Sequence, residues 1–191
     1  MKLKSIRMAV VFLAMPLSAL IAAESRHPHM VMGGSTNPPI GYFEFCKKNP
    51  AECEPRGTVA KPIRLSHMQW SEVRLINAEI NQALPHTTDQ ELYGREEVWA
   101  FPDKAGDTED FALLKQRRLS EYGIPLASLL LTVALKPNGD GHALLTLVTS
   151  EGDFILDDET DDIVPWHEAP YRFLKRQDPL RIPWVKIIDA D

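Results

Sequence analysis

Between Trp70 and Leu84 the apolar residues fall on one side of a helical wheel. Trp70, Val73, Ile76, Ile80 and Leu84 predict an amphipathic helix over about 68–84. Ser66 stands where an N-cap belongs, and Pro85 ends the run. Asn77 and Asn81, one turn apart on the flank, read as surface residues or as anchors for a neighbouring loop. A second helix is predicted over 108–122. Phe111, Ala112, Leu113 and Leu114 crowd its first turns, so that half reads as buried, with Lys115, Arg117 and Arg118 facing out. Gly123 and Pro125 close it. The period then shortens. A β-type run over 127–135 leads into the turn Pro137-Asn138-Gly139-Asp140-Gly141, then strands over 142–148 and 153–156 about a turn at Glu151-Gly152, and further strands over 171–174 and 184–187. Helices followed by an antiparallel meander predict an α+β domain.

The N-terminus adds a processing segment. Lys2, Lys4 and Arg7 precede an apolar stretch from Met8 to Leu20 and the small pair Ala22-Ala23, which reads as a signal peptide over 1–23 and as export to the periplasm or medium. Pro16 and the short length do not suit a stable membrane span. Residues 24–39 are polar and rich in Gly, Pro and Ser and read as a flexible leader; 40–191 is one globular domain, opening with a loop-rich stretch over 40–62. Cys46 and Cys53 are the two cysteines, and in an exported chain such a pair reads as a structural disulfide. The net charge of −6 becomes −9 once residues 1–23, with three cations and no acid, are removed. So acidic a chain is a poor partner for nucleic acid or anionic membrane; calcium or a basic partner suits it better.

Candidate chemistry gathers at the start of the second helix. Asp107 is placed to cap it, with Asp110 three residues on completing a capping-box-like pattern. Thr108 then takes the first helical position, beside unpaired backbone N–H groups. A cysteine there would be drawn toward thiolate. A threonine gains little, because a helix dipole contributes about 1 kcal/mol, and a hydroxyl needs an aligned base. His142, after the glycine-rich turn, is the candidate base. Asp157 is a candidate to orient it. A tight turn at Glu151-Gly152 would instead place Asp161 opposite His142, so spacing leaves both open.

Glu97-Val98-Trp99-Ala100-Phe101-Pro102, the run Gly106-Asp107-Thr108-Glu109-Asp110-Phe111, the segment Gly139-Asp140-Gly141-His142-Ala143 and Leu156-Asp157 together resemble the bacterial transglutaminase-like cysteine proteinases. The likeness implies a papain/transglutaminase-like α+β fold with helices packed on an antiparallel sheet. It implies a nucleophile position at Thr108, a base at His142 and an orienting acid at Asp157 rather than Asp161. In one branch of the family the acids flanking the cysteine help to hold calcium, which here implies Asp107 and Glu109; no other cofactor is implied. Thr108 stands in the cysteine's place, and Asp158 where asparagine is common. The expected function is an exported member with a disabled nucleophile. It would hold a protein or peptide segment in its cleft, or pair with an envelope regulator. The alternatives are an active peptidase or acyl-transferase and a structural envelope domain.

Overall fold

The β-branched and leucine-rich runs that follow Pro125 build the centre of the molecule. Leu129–Leu135 (β2) pairs antiparallel with Gly141–Thr149 (β3), across a turn closed by Lys136 N–H donating to the Asp140 carbonyl at 2.9 Å. Gly139 sits in that turn at φ 94, a conformation that favours glycine. Gly152–Leu156 (β4) pairs with β3, Val164–Pro165 (β5) with β4, Arg172–Gln177 (β6) with β2, and Trp184–Ile188 (β7) with β6. Val31–Thr36 (β1) completes a seven-stranded sheet in the order β1-β7-β6-β2-β3-β4-β5. This computed structural model describes residues 28–54, 62–180 and 184–188. The signal segment 1–23 lies outside the described residues.

Among the described residues four α-helices accompany the sheet: Ile40–Lys48 (α1), His67–Ala83 (α2), Asp89–Tyr93 (α3) and Thr108–Tyr122 (α4). Helix α2 starts from a full capping box, Ser66 with Gln69, and buries Val73, Ile76 and Ile80. Helix α4 buries Phe111, Ala112, Leu113 and Leu119. These side chains meet Leu129, Leu131, Leu145, Leu147 and Leu156 from the sheet in the main core. The alternate residues Ala134, Leu144 and Ile155 join Trp166, Phe173 and Met30 in a second cluster. That division follows from the two-residue period of a strand. The result is an α+β fold with an antiparallel sheet. No helix among the described residues is long and apolar enough to cross a membrane.

Three expectations change. The leader over 24–39 contains β1, held because Met30 is buried and Asp153 accepts from Met30 N–H at 3.0 Å, with His29 Nδ1 2.8 Å from the same carboxylate. The loop-rich stretch over 40–62 contains α1, which buries Tyr42 and Phe45 one turn apart; the disulfide Cys46–Cys53 lies at its end. Lys115 does not face out: it is 1% exposed, and its ammonium donates to the Asp157 carbonyl at 2.6 Å.

Candidate active site

Helix α4 begins at Thr108, with Asp107 at the N-cap. The capping-box pattern does not form, because Asp107 makes no side-chain cap bond and Asp110 turns inward. Asp110 is fully buried and accepts from Ala100 N–H at 2.7 Å; burial pushes its carboxyl up to about 8. Thr108 is bonded on two sides. Its hydroxyl accepts the Ala143 N–H at 3.0 Å and donates to Glu109 Oε2 at 3.2 Å. The start of α4 is thereby tied to β3 beside His142.

His142 is 3% exposed. Its Nε2 lies 2.9 Å from Asp157 Oδ1, while Nδ1 is buried and has no hydrogen-bond partner. Tyr171 donates its phenol to Asp157 Oδ2 and stacks obliquely on the imidazole, ring centroids 4.9 Å apart. Burial alone would raise Asp157, but the bonds from His142 and Tyr171 outweigh it and hold the carboxyl below its usual range. The hairpin brings Asp157, and not Asp161, beside His142. Thr149 pairs with Gly152, β4 ends at Leu156, and Asp157 curls in at once.

Asp161 instead anchors the loop that carries Asp157. Asn81 Nδ2 donates to the carbonyls of Asp157 and Thr160 and to Asp161 Oδ1, each at 3.0 Å. Asn77 Nδ2 donates to the Asp161 carbonyl at 3.2 Å, and Gln82 reaches Asp161 Oδ2. The asparagines on α2 are therefore loop anchors, not surface residues. Asp158 is buried at 3.8 Å from His142 Nε2, with its other oxygen 3.3 Å from His86 Nδ1. Burial raises its carboxyl, against the opposing pull of His142. Lys115 closes the group. Burial lowers its ammonium to about 8, against the pull of Asp158 and Asp157.

A second carboxylate group lies at the mouth of α4. Thr87 N–H donates to the Gly106 carbonyl, and Gly106 N–H to Pro85, which brings the start of α3 alongside Asp107. Asp89, Asp107 and Glu109 each place an oxygen within 4.8 Å of the others. Asp89 is 4% exposed; one oxygen accepts from Val98 N–H, while Oδ1 and Asp107 Oδ1 are buried without a partner. Burial and repulsion by Asp89 push Asp107 up to about 7, against a hydrogen bond with Glu109 that pulls it down, and burial and repulsion by Asp107 push Glu109 to about 9. Hard oxygen donors with unused lone pairs fit a calcium ion. The sequence reading found Asp107 and Glu109 but not Asp89. Its signal, an acid at the start of a five-residue helix behind Thr88, is that of an ordinary helix start.

These groups share one cleft of about 920 Å³, lined by Asp89, Asp107, Glu109, His142 and Ala143 among others. The lining brings His142 and the three carboxylates together at one cleft. No curated protein matches the chain. Among solved structures, LapG of Legionella pneumophila superposes with a TM-score of 0.53 at 23% identity, covering 64% of this chain and 71% of that one. Its calcium-bound form gives 0.51 at 23%, covering 56% of this chain and 64% of that one, and its EGTA-treated form 0.53 at 22%, covering 64% and 68%. The chain thus spans just under two-thirds of the calcium-bound structure. The family of bacterial transglutaminase-like cysteine proteinases matches residues 32–191, and the chain belongs to it.

Proposed function

We propose that this chain is an exported family member that holds a protein segment in its cleft without cutting it. The observation that carries this reading is the state of the Thr108 hydroxyl. It accepts from Ala143 N–H and donates its single proton to Glu109; no hydrogen bond joins it to His142 among the described residues. An aliphatic hydroxyl becomes a nucleophile only when a base takes that proton as the bond forms. The helix start contributes about 1 kcal/mol, enough to help a thiol but far too little for an alcohol.

The remaining machinery supports a cleft built for an acyl group. Asp157 and Tyr171 hold His142 in one orientation, and its Nδ1 is unpartnered. Asp89, Asp107 and Glu109 would hold calcium, as the calcium-bound form of the Legionella relative suggests. Calcium there would supply a fixed positive charge beside the start of α4. The free Nδ1 also favours a second reading, slow hydrolysis by water that His142 activates.

Thr108→Cys separates the two. The variant should react with iodoacetamide faster than a free thiol, and Thr108→Cys/His142→Ala should lose that advantage. It should also cleave an unfolded protein substrate that the natural chain leaves intact. Cleavage by the natural chain that disappears in His142→Ala would overturn the non-cutting reading in favour of hydrolysis.

A further inference from the structure

Beyond the three carboxylates at the mouth of α4, the cleft is lined by Glu96, Glu97 and Asp140. Lys175 is the cation in the same lining. Its ammonium donates to the Asn37 carbonyl at 3.1 Å, and burial lowers its pKa against the nearby Glu97. Neither Glu96 nor Glu97 has a salt bridge among the described residues. Asp140 bonds only within its own turn, accepting from Asn138 Nδ2 at 2.7 Å. Two residues of the same lining are buried beyond nine-tenths and each holds an atom without a hydrogen-bond partner, Asp89 Oδ1 and His142 Nδ1. A cleft walled by one sign of charge raises the local concentration of the opposite sign.

The placement of Glu97 is enforced. It is the one non-glycine among the described residues with a left-handed backbone, φ 58. Asp89 holds the next N–H, that of Val98. On the other side Gly41 packs so closely that a Cβ there would lie 2.3 Å from the Glu97 carbonyl oxygen. The chain thus fixes an acidic side chain at the cleft in a conformation a glycine would adopt more easily.

We propose that the cleft selects a polypeptide segment bearing lysine or arginine, and that Glu97 and Asp140 read its charge from two separate elements. This rests on the segment-binding reading above and names the chemistry of the segment. Calcium at Asp89, Asp107 and Glu109 uses neither of these two acids, so recognition persists in the calcium-loaded protein. Each charge contact is solvent-facing, and removing one should weaken binding about two- to fivefold, more at low salt.

The test is selection of a displayed random-peptide library on the immobilised protein in saturating calcium. The natural chain should enrich lysine- and arginine-containing peptides. Glu97→Gln/Asp140→Asn should lose that enrichment, while Glu151→Gln/Glu168→Gln, which changes two acids outside the cleft lining, should keep it. Replacing lysine by glutamine in a selected peptide should weaken its binding to the natural chain about two- to fivefold per residue in fluorescence anisotropy. Enriched peptides without basic residues would overturn the charge reading and leave segment binding standing. Basic enrichment that survives Glu97→Gln/Asp140→Asn would overturn the assignment to these two acids. Recovery of no peptide at all would overturn both the proposal and the reading beneath it.

Discussion

Chelating divalent cations should make this protein less stable as the pH rises from 5 to 8, and calcium should cancel the loss. Burial holds Glu109 near 9 and Asp107 near 7, and Asp110 near 8, whereas in the unfolded chain these groups titrate near 4. Between those limits the folded state binds more protons than the unfolded state, so stability falls as pH rises. One group displaced by one pH unit is worth about 1.4 kcal/mol. With Asp107 and Glu109 heavily discounted for their partial exposure, the loss across the window is at least about 3 kcal/mol, most of it from Asp110. For a domain of this size that is a fall in Tm of roughly 6–12 °C. Lys115, lowered to about 8, works in the opposite sense above that pH, so pH 5–8 is the diagnostic range. Calcium at about a hundred times its dissociation constant would return about 3 kcal/mol. Scanning calorimetry in EGTA and in calcium across this range measures both effects. Asp107→Asn/Glu109→Gln should abolish the calcium response and make the EGTA curve shallower, leaving the part carried by Asp110. A melting temperature in EGTA that stays level or climbs from pH 5 to 8 would refute the argument from buried carboxylates.

Other perturbations test the scaffold of the site. Lys115→Met removes the buried ammonium that donates to the Asp157 carbonyl and offsets the Asp158 charge, and should cost about 3 kcal/mol; adding Asp158→Asn should recover part of it in urea unfolding. Asn81→Ala removes three anchors of the loop after β4 and should cost about 1–3 kcal/mol. Hydrogen exchange should then quicken over 157–162 while the centre of β3 stays protected. Reducing the Cys46–Cys53 bridge, a separation of seven residues, should cost about 2–3 kcal/mol. Thermal melts with and without reductant check this; no shift would show that α1 is held by Tyr42 and Phe45 alone.

Much of the fold was legible because its helices are amphipathic and its turns carry Gly and Pro. Helix α4 starts and stops where Thr108 and Gly123 predict. The register of the β3–β4 hairpin was not legible. The predicted turn at Glu151-Gly152 and the observed pairing of Thr149 with Gly152 differ by two residues in their pairing. A two-residue shift keeps every side chain on its face, so alternation cannot distinguish them. Lys115 misled because charge predicts exposure, and only the tertiary fold brings the Asp157 carbonyl to its ammonium. Asp89 reaches Asp107 through backbone bonds between residues 85–87 and Gly106, which no local pattern announces. Glu97 was hidden for a related reason: its left-handed backbone is imposed by Gly41 and Asp89 from outside its own segment.

Strand β1 has a consequence for how the protein is made. Its ladder partner is β7, with Thr36 opposite Trp184 and Val31 opposite Ile188. During synthesis the first strand to emerge must wait for the last before it can pair. Until then its backbone N–H and C=O groups present an open edge to any neighbouring chain. Met30 and His29 fasten to Asp153, so the segment can be captured by β4 before β7 arrives. That early mooring would shorten the interval in which nascent chains can associate wrongly. Truncations that spare the cleft but remove β7 should therefore yield aggregates, with β1 the segment most exposed to pairing between molecules.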